Sequence, residues 1–541
     1  MNESLHKQLR WAWSITAGFR GRIVLYMIME IISVVLMLCF IYFSKQAIDM
    51  AMHLIPGNLK QMLVLMACSV LLSVVLNVFS SWIGEYARNG MMLRLQNNLA
   101  HAQMMMSWIT KKRWHTGDLL VRLNSDCAEV VQMLVYTFPS LLVTFVKLSA
   151  SLAFLWAMDP VMALLLLAIT PLILFSKIYY RKMRSIGRAV KQAESHLGTV
   201  LQENLKYRAL IQALLFTKAR EDKFEEAQLS FFQAKTKQLM FSTISQSILK
   251  LAFNGGYLLT FLWGIYRLHT GLISYGTMAA FLQLVSRVQV PVFSIVSFVP
   301  AAIRCRTAIE RLMELNMGER EEYENQIKLN PPLSLKFDQV SFQYDEVKVI
   351  NMMNCKFQSG IPTAVTGASG KGKTTLIRLM LALIKPDSGS LTLTQGGISH
   401  EISVATRSNI AYVPQGNTLF FGAIRENLLL ADLHASDEHI RDVLTTSCAE
   451  FVYALPDGLD TVIGESGRGL SEGQAQRIAI ARALLRGGSI WLFDEPTSDI
   501  DSDTAKRLIR NLLEAGKDKI LIFVTHDRIV TDSCQQIVQL D

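Results

Sequence analysis

Gly367-Ala368-Ser369-Gly370-Lys371-Gly372-Lys373-Thr374 is the stretch on which the reading of this chain turns. A strand-like apolar run, Thr363–Thr366, precedes it and a helical stretch follows. The spacing is G-x-x-x-x-G-K-[ST], that of a phosphate-binding loop set between a strand and a helix. Its glycines let successive backbone N–H groups turn inward around an anion, and the following helix adds the positive end of its dipole. In such a loop Lys373 reaches the β- and γ-phosphates of a nucleotide and the Thr374 hydroxyl binds Mg²⁺, with Thr375 next to it.

Outward from this loop, the strand-like runs Asn409–Val413, Ser489–Phe493 and Lys519–Val524 alternate with helical stretches, which predicts an α/β domain. Ile490-Trp491-Leu492-Phe493 has no polar interruption, as expected of a parallel strand buried on both faces. It runs into Asp494-Glu495. An Asp at the end of a buried strand suits a magnesium ligand, and the Glu after it can orient or deprotonate an attacking water. Alone, an acidic pair after a strand is more often a loop cap. Beside a phosphate loop it marks a catalytic site.

These segments, taken with five more, resemble the ABC ATPase family. Leu470-Ser471-Glu472-Gly473-Gln474 is similar to the family signature, usually L-S-G-G-Q. The resemblance implies that Tyr344 stacks on adenine and that Gln415 links magnesium to the membrane domain. It further implies that Asp501 lies in the D-loop, that His526 contacts the γ-phosphate, and that Ser471, Gly473 and Gln474 bind nucleotide. ATP and Mg²⁺ are the implied ligands. Three departures stand out. Glu472 replaces the first signature glycine, Lys371 occupies a position usually held by a small residue, and the chain stops at Asp541, so the C-terminal helices of relatives look shortened.

The N-terminal half differs in composition. Over the whole chain 51% of residues are hydrophobic and only 18% charged, with a net charge of +9, and the apolar residues concentrate before Pro331. The basic residues flank apolar runs, which suits lipid headgroups and argues against nucleic acid as a partner. The 7 cysteines are scattered singly, which indicates neither a disulfide framework nor a zinc site. A bilayer core takes about 20 apolar residues of helix. Six runs qualify: Ile23–Phe43, Gln61–Ile83, Leu134–Trp156, Pro160–Phe175, Ser247–Leu268 and Thr277–Pro300. The first is too long for a signal-peptide core. Lys7, Arg10, Arg20 and Arg22 precede it, and the long second and fourth connections are rich in Lys and Arg, so both termini are expected in the cytoplasm. Trp11, Ile15 and Phe19 at i, i+4, i+8 read as an interfacial helix. Gly117-Asp118 through Arg122 to Asp126 resembles the G-D-x-x-x-R-L-x-x-D stretch of exporter-type membrane domains.

The expected architecture is an all-α transmembrane six-helix domain followed by an α/β P-loop ATPase domain: 1–22 an interfacial helix, 23–318 the membrane domain, 319–332 a linker and 333–541 the ATPase. By resemblance this is an exporter-type half-transporter of a bacterial inner membrane. Its partner is a second copy of itself or a related half-transporter, and alternating access moves a peptide, drug-like molecule or lipid. Glu495 and His526 are the candidate catalytic residues, and Thr374, Gln415 and Asp494 the candidate metal ligands. Ionisable groups are expensive in a bilayer and often face a cavity, so Glu30, Lys147 and Arg287 are candidate substrate contacts. The alternatives are a membrane-tethered ATPase acting as a regulator, or an importer on the exporter fold.

Overall fold

The structure, a computed structural model, describes residues 5–111, 116–169, 176–315, 318–321, 323, 325–344, 347–368, 370–464 and 469–540. The chain divides into two compact units, Met1–His101 with Thr116–Met317, and Ala102–His115 with Gly318–Asp541.

The first unit is helical: α1 (Leu5–Ile15), α2 (Arg20–Ala51), α3 (Leu59–Met104), α4 (Gly117–Met158), α5 (Pro160–Ile169), α6 (Ser176–Lys206), α7 (Thr217–His269) and α8 (Tyr275–Glu314). Each expected span falls on one of these helices, although residues 170–175 of the fourth lie outside the described residues. By length and apolarity, α2, α3 and α4 qualify as membrane-crossing helices among the described residues. Only 6% of the apolar window on α3 is buried within the protein, so nearly all of that hydrophobic surface lies outside the chain's own packing. At 1.5 Å per residue, α3 is about 70 Å long and the 53-residue α7 about 80 Å. Both overshoot a hydrocarbon core of about 30 Å, which is why the connections after the second span and before the fifth are helical and not loops.

The interfacial stripe is shorter than its spacing predicts. Gly18 adopts φ +87°, a turn that ends α1 before Phe19, and Arg94 of α3 closes the turn through Nη1 to the Ala17 carbonyl at 2.8 Å. Elsewhere, buried charge fixes helix ends. Asp159 is fully buried; it caps α5 through the Val161 N–H at 3.0 Å and pairs with Arg267 of α7 at 3.0 Å. Asp49 of α2 accepts from the Ser274 hydroxyl at 2.8 Å and the Gly276 N–H at 2.9 Å at the start of α8.

The second unit contains β1 (Leu333–Tyr344), β2 (Val347–Gln358), β3 (Thr363–Gly367), α9 (Lys373–Met380), β4 (Ser388–Gln395), β5 (Ile398–Glu401), β6 (Ile410–Val413), α10 (Glu472–Arg486), β7 (Ile490–Asp494), α11 (Ser502–Ala515), β8 (Ile520–Val524) and β9 (Gln536–Leu540). Strands β2-β1-β4-β5 form an antiparallel sheet, and β9-β3-β8-β7-β6 a parallel one. Along β7 the side chains alternate between two cores. Trp491 and Phe493 join α10 and α11, whereas Ile490 and Leu492 join β1 and α9. The uninterrupted apolar run is therefore a strand buried on both faces, as expected.

Candidate functional site

The parallel sheet brings the carboxyl ends of β3, β7 and β8 side by side, the edge at which open α/β sheets bind ligands. Gly367 closes β3, Asp494 closes β7, and Thr525-His526 follow β8. Gly372 caps α9 at φ +93°, a left-handed conformation that costs a side-chain-bearing residue energy and lets the chain swing from loop into helix. Gly370 is also left-handed, at φ +85°. Lys373 folds back, its Nζ donating to the Gly367 carbonyl at 2.6 Å. Thr374 is exposed at the loop mouth, Thr375 is buried, and Ala368 and Lys371 are exposed; Ser369 lies outside the described residues.

Glu495 holds a non-glycine positive φ of +50° and is 7% exposed. Such backbone strain persists only where neighbours enforce it, and here the Glu495 N–H is bonded to the Val524 carbonyl at 2.8 Å. Its Oε1 stands 2.8 Å from His526 Nδ1, and the Thr525 hydroxyl donates to Oε2 at 3.4 Å. With Glu495 ionised, the Nδ1–H tautomer of His526 is the donor. Burial first, then the Glu495 charge, push the neighbouring Asp494 carboxyl up to about 6, against the opposing pull of Lys373. A buried carboxylate beside a second one, at the mouth of a glycine cradle, is a site that gains from a cation.

Tyr344 ends β1, packed edge-on against Phe342 at 4.8 Å, and receives a hydrogen bond from Arg378 Nη1 at 2.8 Å. Gln415 is exposed just past β6. Ser471, Gly473 and Gln474 open α10. Ser471 Oγ accepts from the Gln474 N–H at 3.2 Å while Gln474 Oε1 accepts from the Ser471 N–H at 3.0 Å, a reciprocal capping box. Gly473 tolerates no side chain, because a Cβ there would collide with the Asp499 carbonyl. Glu472 has no such constraint: it is exposed in the first turn of α10, where a carboxylate is favoured by the helix dipole. Asp501 caps α11, accepting from the Thr504 N–H at 3.0 Å, and that bond holds its carboxyl below the usual range. Among the described residues, no hydrogen bond or ion pair links Ser471, Gly473 or Gln474 to the phosphate loop.

In the membrane unit, Glu30 on α2 accepts from the Ser80 hydroxyl of α3 at 2.6 Å. The charges of Glu30 and of Arg287 on α8 both reach Lys147 on α4, so the fold brings the three candidates into one electrostatic neighbourhood. Sequence reasoning missed three residues of the ATPase site. Arg378 orients Tyr344, Thr525 contacts Glu495, and Asp527 ties the segment after β7 to that after β8 by accepting from the Thr497 hydroxyl at 2.6 Å. A polar residue flanking each recognised motif was the available signal.

Fold and site together define a nucleotide-hydrolysing P-loop domain joined to a helical membrane domain in one integral membrane protein. The chain belongs to the ABC transporter family, with the architecture of an exporter-type half-transporter and the activity of an ATPase coupled to transport. The family profile for the ABC transporter transmembrane region matches residues 23–292, and that described as ABC transporter matches residues 350–498. YfiC, an uncharacterized ABC transporter ATP-binding protein of Bacillus subtilis strain 168, is 26% identical, the match covering 98% of this chain and 89% of YfiC. YfiB of the same organism, described in the same words, is 28% identical over 81% of this chain and 77% of its own length. Among solved structures, a bacterial Atm1-family ABC exporter with ATP bound shares the fold, with a TM-score of 0.80 at 19% identity, covering 97% of this chain and 94% of that one.

Proposed function

We propose that two copies of this chain assemble into an ATP-driven exporter with two composite ATP sites. What supports this reading is that, among the described residues, no hydrogen bond or ion pair joins Ser471, Gly473 or Gln474 to the phosphate loop within one chain, although the family resemblance assigns both sets to one nucleotide. In the dimer the cradle and Lys373 of one copy hold the triphosphate, Tyr344 stacks on the adenine, and the α10 N-terminus of the other copy caps the γ-phosphate. Thr374, Asp494 and Gln415 would hold Mg²⁺, which would supply charge neutralisation on the phosphates when bound. Glu495 takes the proton of the attacking water, and His526 leaves its Glu495 contact to donate to the γ-phosphate. Closure of the ATPase pair drives the long helices and opens the cavity outward, with six spans per copy and both termini cytoplasmic.

Because Asp494 must be ionised to bind a cation, Mg²⁺ dependence follows its titration. Above pH of about 6 the carboxylate is available; below it, the apparent Mg²⁺ affinity for ATPase activity is expected to fall by roughly tenfold per pH unit. Mg²⁺ titrations of hydrolysis at several pH values check this, and Asp494→Asn is expected to abolish the dependence.

The substrate reading rests on Glu30, Lys147 and Arg287. Two cations and one anion on facing helices suit a peptide, drug-like molecule or lipid carrying polar or charged groups. The test is ATP-dependent movement of labelled peptides, amphipathic drugs and fluorescent lipids in vesicles containing the purified protein. Alanine at all three positions is expected to cut substrate-stimulated hydrolysis by about tenfold while basal hydrolysis persists. Unchanged stimulation would remove these residues from the cavity, and hydrolysis without movement of any probe would favour a regulator.

A further inference from the structure

The second connection of the membrane domain reaches the ATPase unit as a ladder. Ser107 N–H donates to the Glu319 carbonyl at 2.9 Å, Glu321 N–H donates to the Met105 carbonyl at 2.7 Å, and Met106 bridges antiparallel to Arg320. The next residue, Trp108, is half-buried against the core that holds β1 and α9. The Arg378 guanidinium lies over its ring at 4.3 Å from the centroid, a cation–π contact. The same guanidinium donates Nη1 to the Tyr344 hydroxyl at 2.8 Å. Its planar fork allows both contacts at once.

The other strand of the ladder reaches the turn that follows the same helix. Glu321 pairs with Arg407 at 2.6 and 3.2 Å, and Arg407 donates to the carbonyls of Leu381 and Ala382, at 2.8 and 2.9 Å, past the end of α9. The two segments therefore bear on α9 and on the turn that follows it, and the first residues of α9 are Lys373 and Thr374.

We propose that Trp108 and Arg378 are positioning residues for adenine: Trp108 sets the Arg378 guanidinium, which sets the Tyr344 ring, so that the connection after the second span is linked to occupancy of the base site. The inference rests on the assignment of Tyr344 as the adenine-stacking residue. Linkage makes it reciprocal. If the position of Trp108 alters ATP affinity, bound ATP biases the position of Trp108 by the same factor. The α3 helix, continuous from the second span to Met104, joins this contact to the membrane helices through the chain itself.

Steady-state hydrolysis by the full-length protein in lipid vesicles tests it, with Mg-tripolyphosphate as a competitive inhibitor that occupies the phosphate loop and lacks a base. Trp108→Ala is expected to raise KM for ATP about fivefold with kcat within about twofold, leaving the tripolyphosphate inhibition constant unchanged. Tyr344→Ala should raise KM at least as much. The double variant should be no worse than Tyr344→Ala alone, since both act through one ring. Trp108→Phe, which keeps an aromatic face, and Arg378→Lys, which keeps the charge, should fall between wild type and Trp108→Ala even if the alanine variant folds poorly. Multiplicative effects in the double variant, or equal losses for ATP and tripolyphosphate, would overturn the relay. So would a KM that rises in Tyr344→Ala but stays at the wild-type value in Trp108→Ala. An unchanged KM in Tyr344→Ala would instead strike the stacking assignment, and the proposal with it.

Discussion

Glu495→Gln is expected to bind MgATP as tightly as the unaltered protein and to hydrolyse it about 10²- to 10⁴-fold more slowly, the range lost when a general base is removed. The substitution is close to isosteric. It leaves the backbone at φ +50°, the Glu495 N–H bond to the Val524 carbonyl and the bulk of a buried side chain in place. The amide oxygen can still accept from His526 Nδ1, so the 2.8 Å contact survives in one tautomer. What disappears is the ability to take a proton from water. Glu495→Ala would remove the contact with His526 as well and confuse chemistry with positioning, which makes glutamine the sharper probe. Phosphate release under saturating ATP measures the loss, and equilibrium binding of a nucleotide measures retention. Near-normal turnover would transfer the base role elsewhere, and Asp494, half-buried beside Glu495 with its carboxyl raised to about 6, would be the next carboxylate to examine.

The parts of this molecule that were legible in its sequence are those written by short-range rules. The phosphate loop needs glycine where the backbone turns left-handed and a lysine just before a helix, and both requirements are met within eight consecutive residues, Gly367 to Thr374. The β7 strand announces itself because both of its faces are buried, so no polar residue interrupts Ile490–Phe493. Helices α2, α3 and α4 of the membrane unit follow from the length of their apolar runs. Contacts between residues far apart in the chain leave no such trace. Nothing local in Trp108 distinguishes an aromatic stacked on Arg378 from one at a lipid interface. Ser471 and Gln474 read as ligand residues of the signature, yet in this chain they also satisfy each other as a helix cap, a role any capping box would explain. Composition placed the whole second connection with the membrane helices, whereas its 102–111 segment groups with the ATPase unit through backbone pairing that hydropathy does not encode.

Arg122 is the residue whose loss is expected to damage the membrane unit most. In sequence it is one cation of a G-D-x-x-x-R-L-x-x-D stretch; in the fold its side chain is only 7% exposed. It donates to Asp118 at 2.7 Å, to Glu314 at 2.9 Å and to the Arg311 carbonyl at 2.6 Å, which fastens the start of α4 to the end of α8. Arg311 extends the cluster to Asp118 at 2.9 Å and Asp126 at 3.3 Å. The segment Arg122–Asp126 is wound as a π-turn, an arrangement that persists where tertiary contacts hold it. Removing one member of a buried ion cluster typically costs about 3–5 kcal/mol, because the partners keep their desolvation penalty without compensation. Glu314 is half-exposed and recovers water, so Arg122→Met belongs at the lower end, about 3 kcal/mol. Asp118 and Asp126 keep Arg311, so the carboxylate that loses its cation is Glu314. Arg122→Met combined with Glu314→Gln is therefore expected to be no more destabilised than Arg122→Met alone, a result that simple loss of favourable contacts would not produce. Thermal unfolding of the full-length variants in the same detergent or lipid, followed by a reporter in α4, measures the order. Arg122→Lys should fall between them and wild type, keeping the charge while losing the fork that reaches Asp118 and Glu314 together. If the double variant proves worse than the single, the cluster is bound by its direct contacts, and the desolvation argument for Arg122 fails.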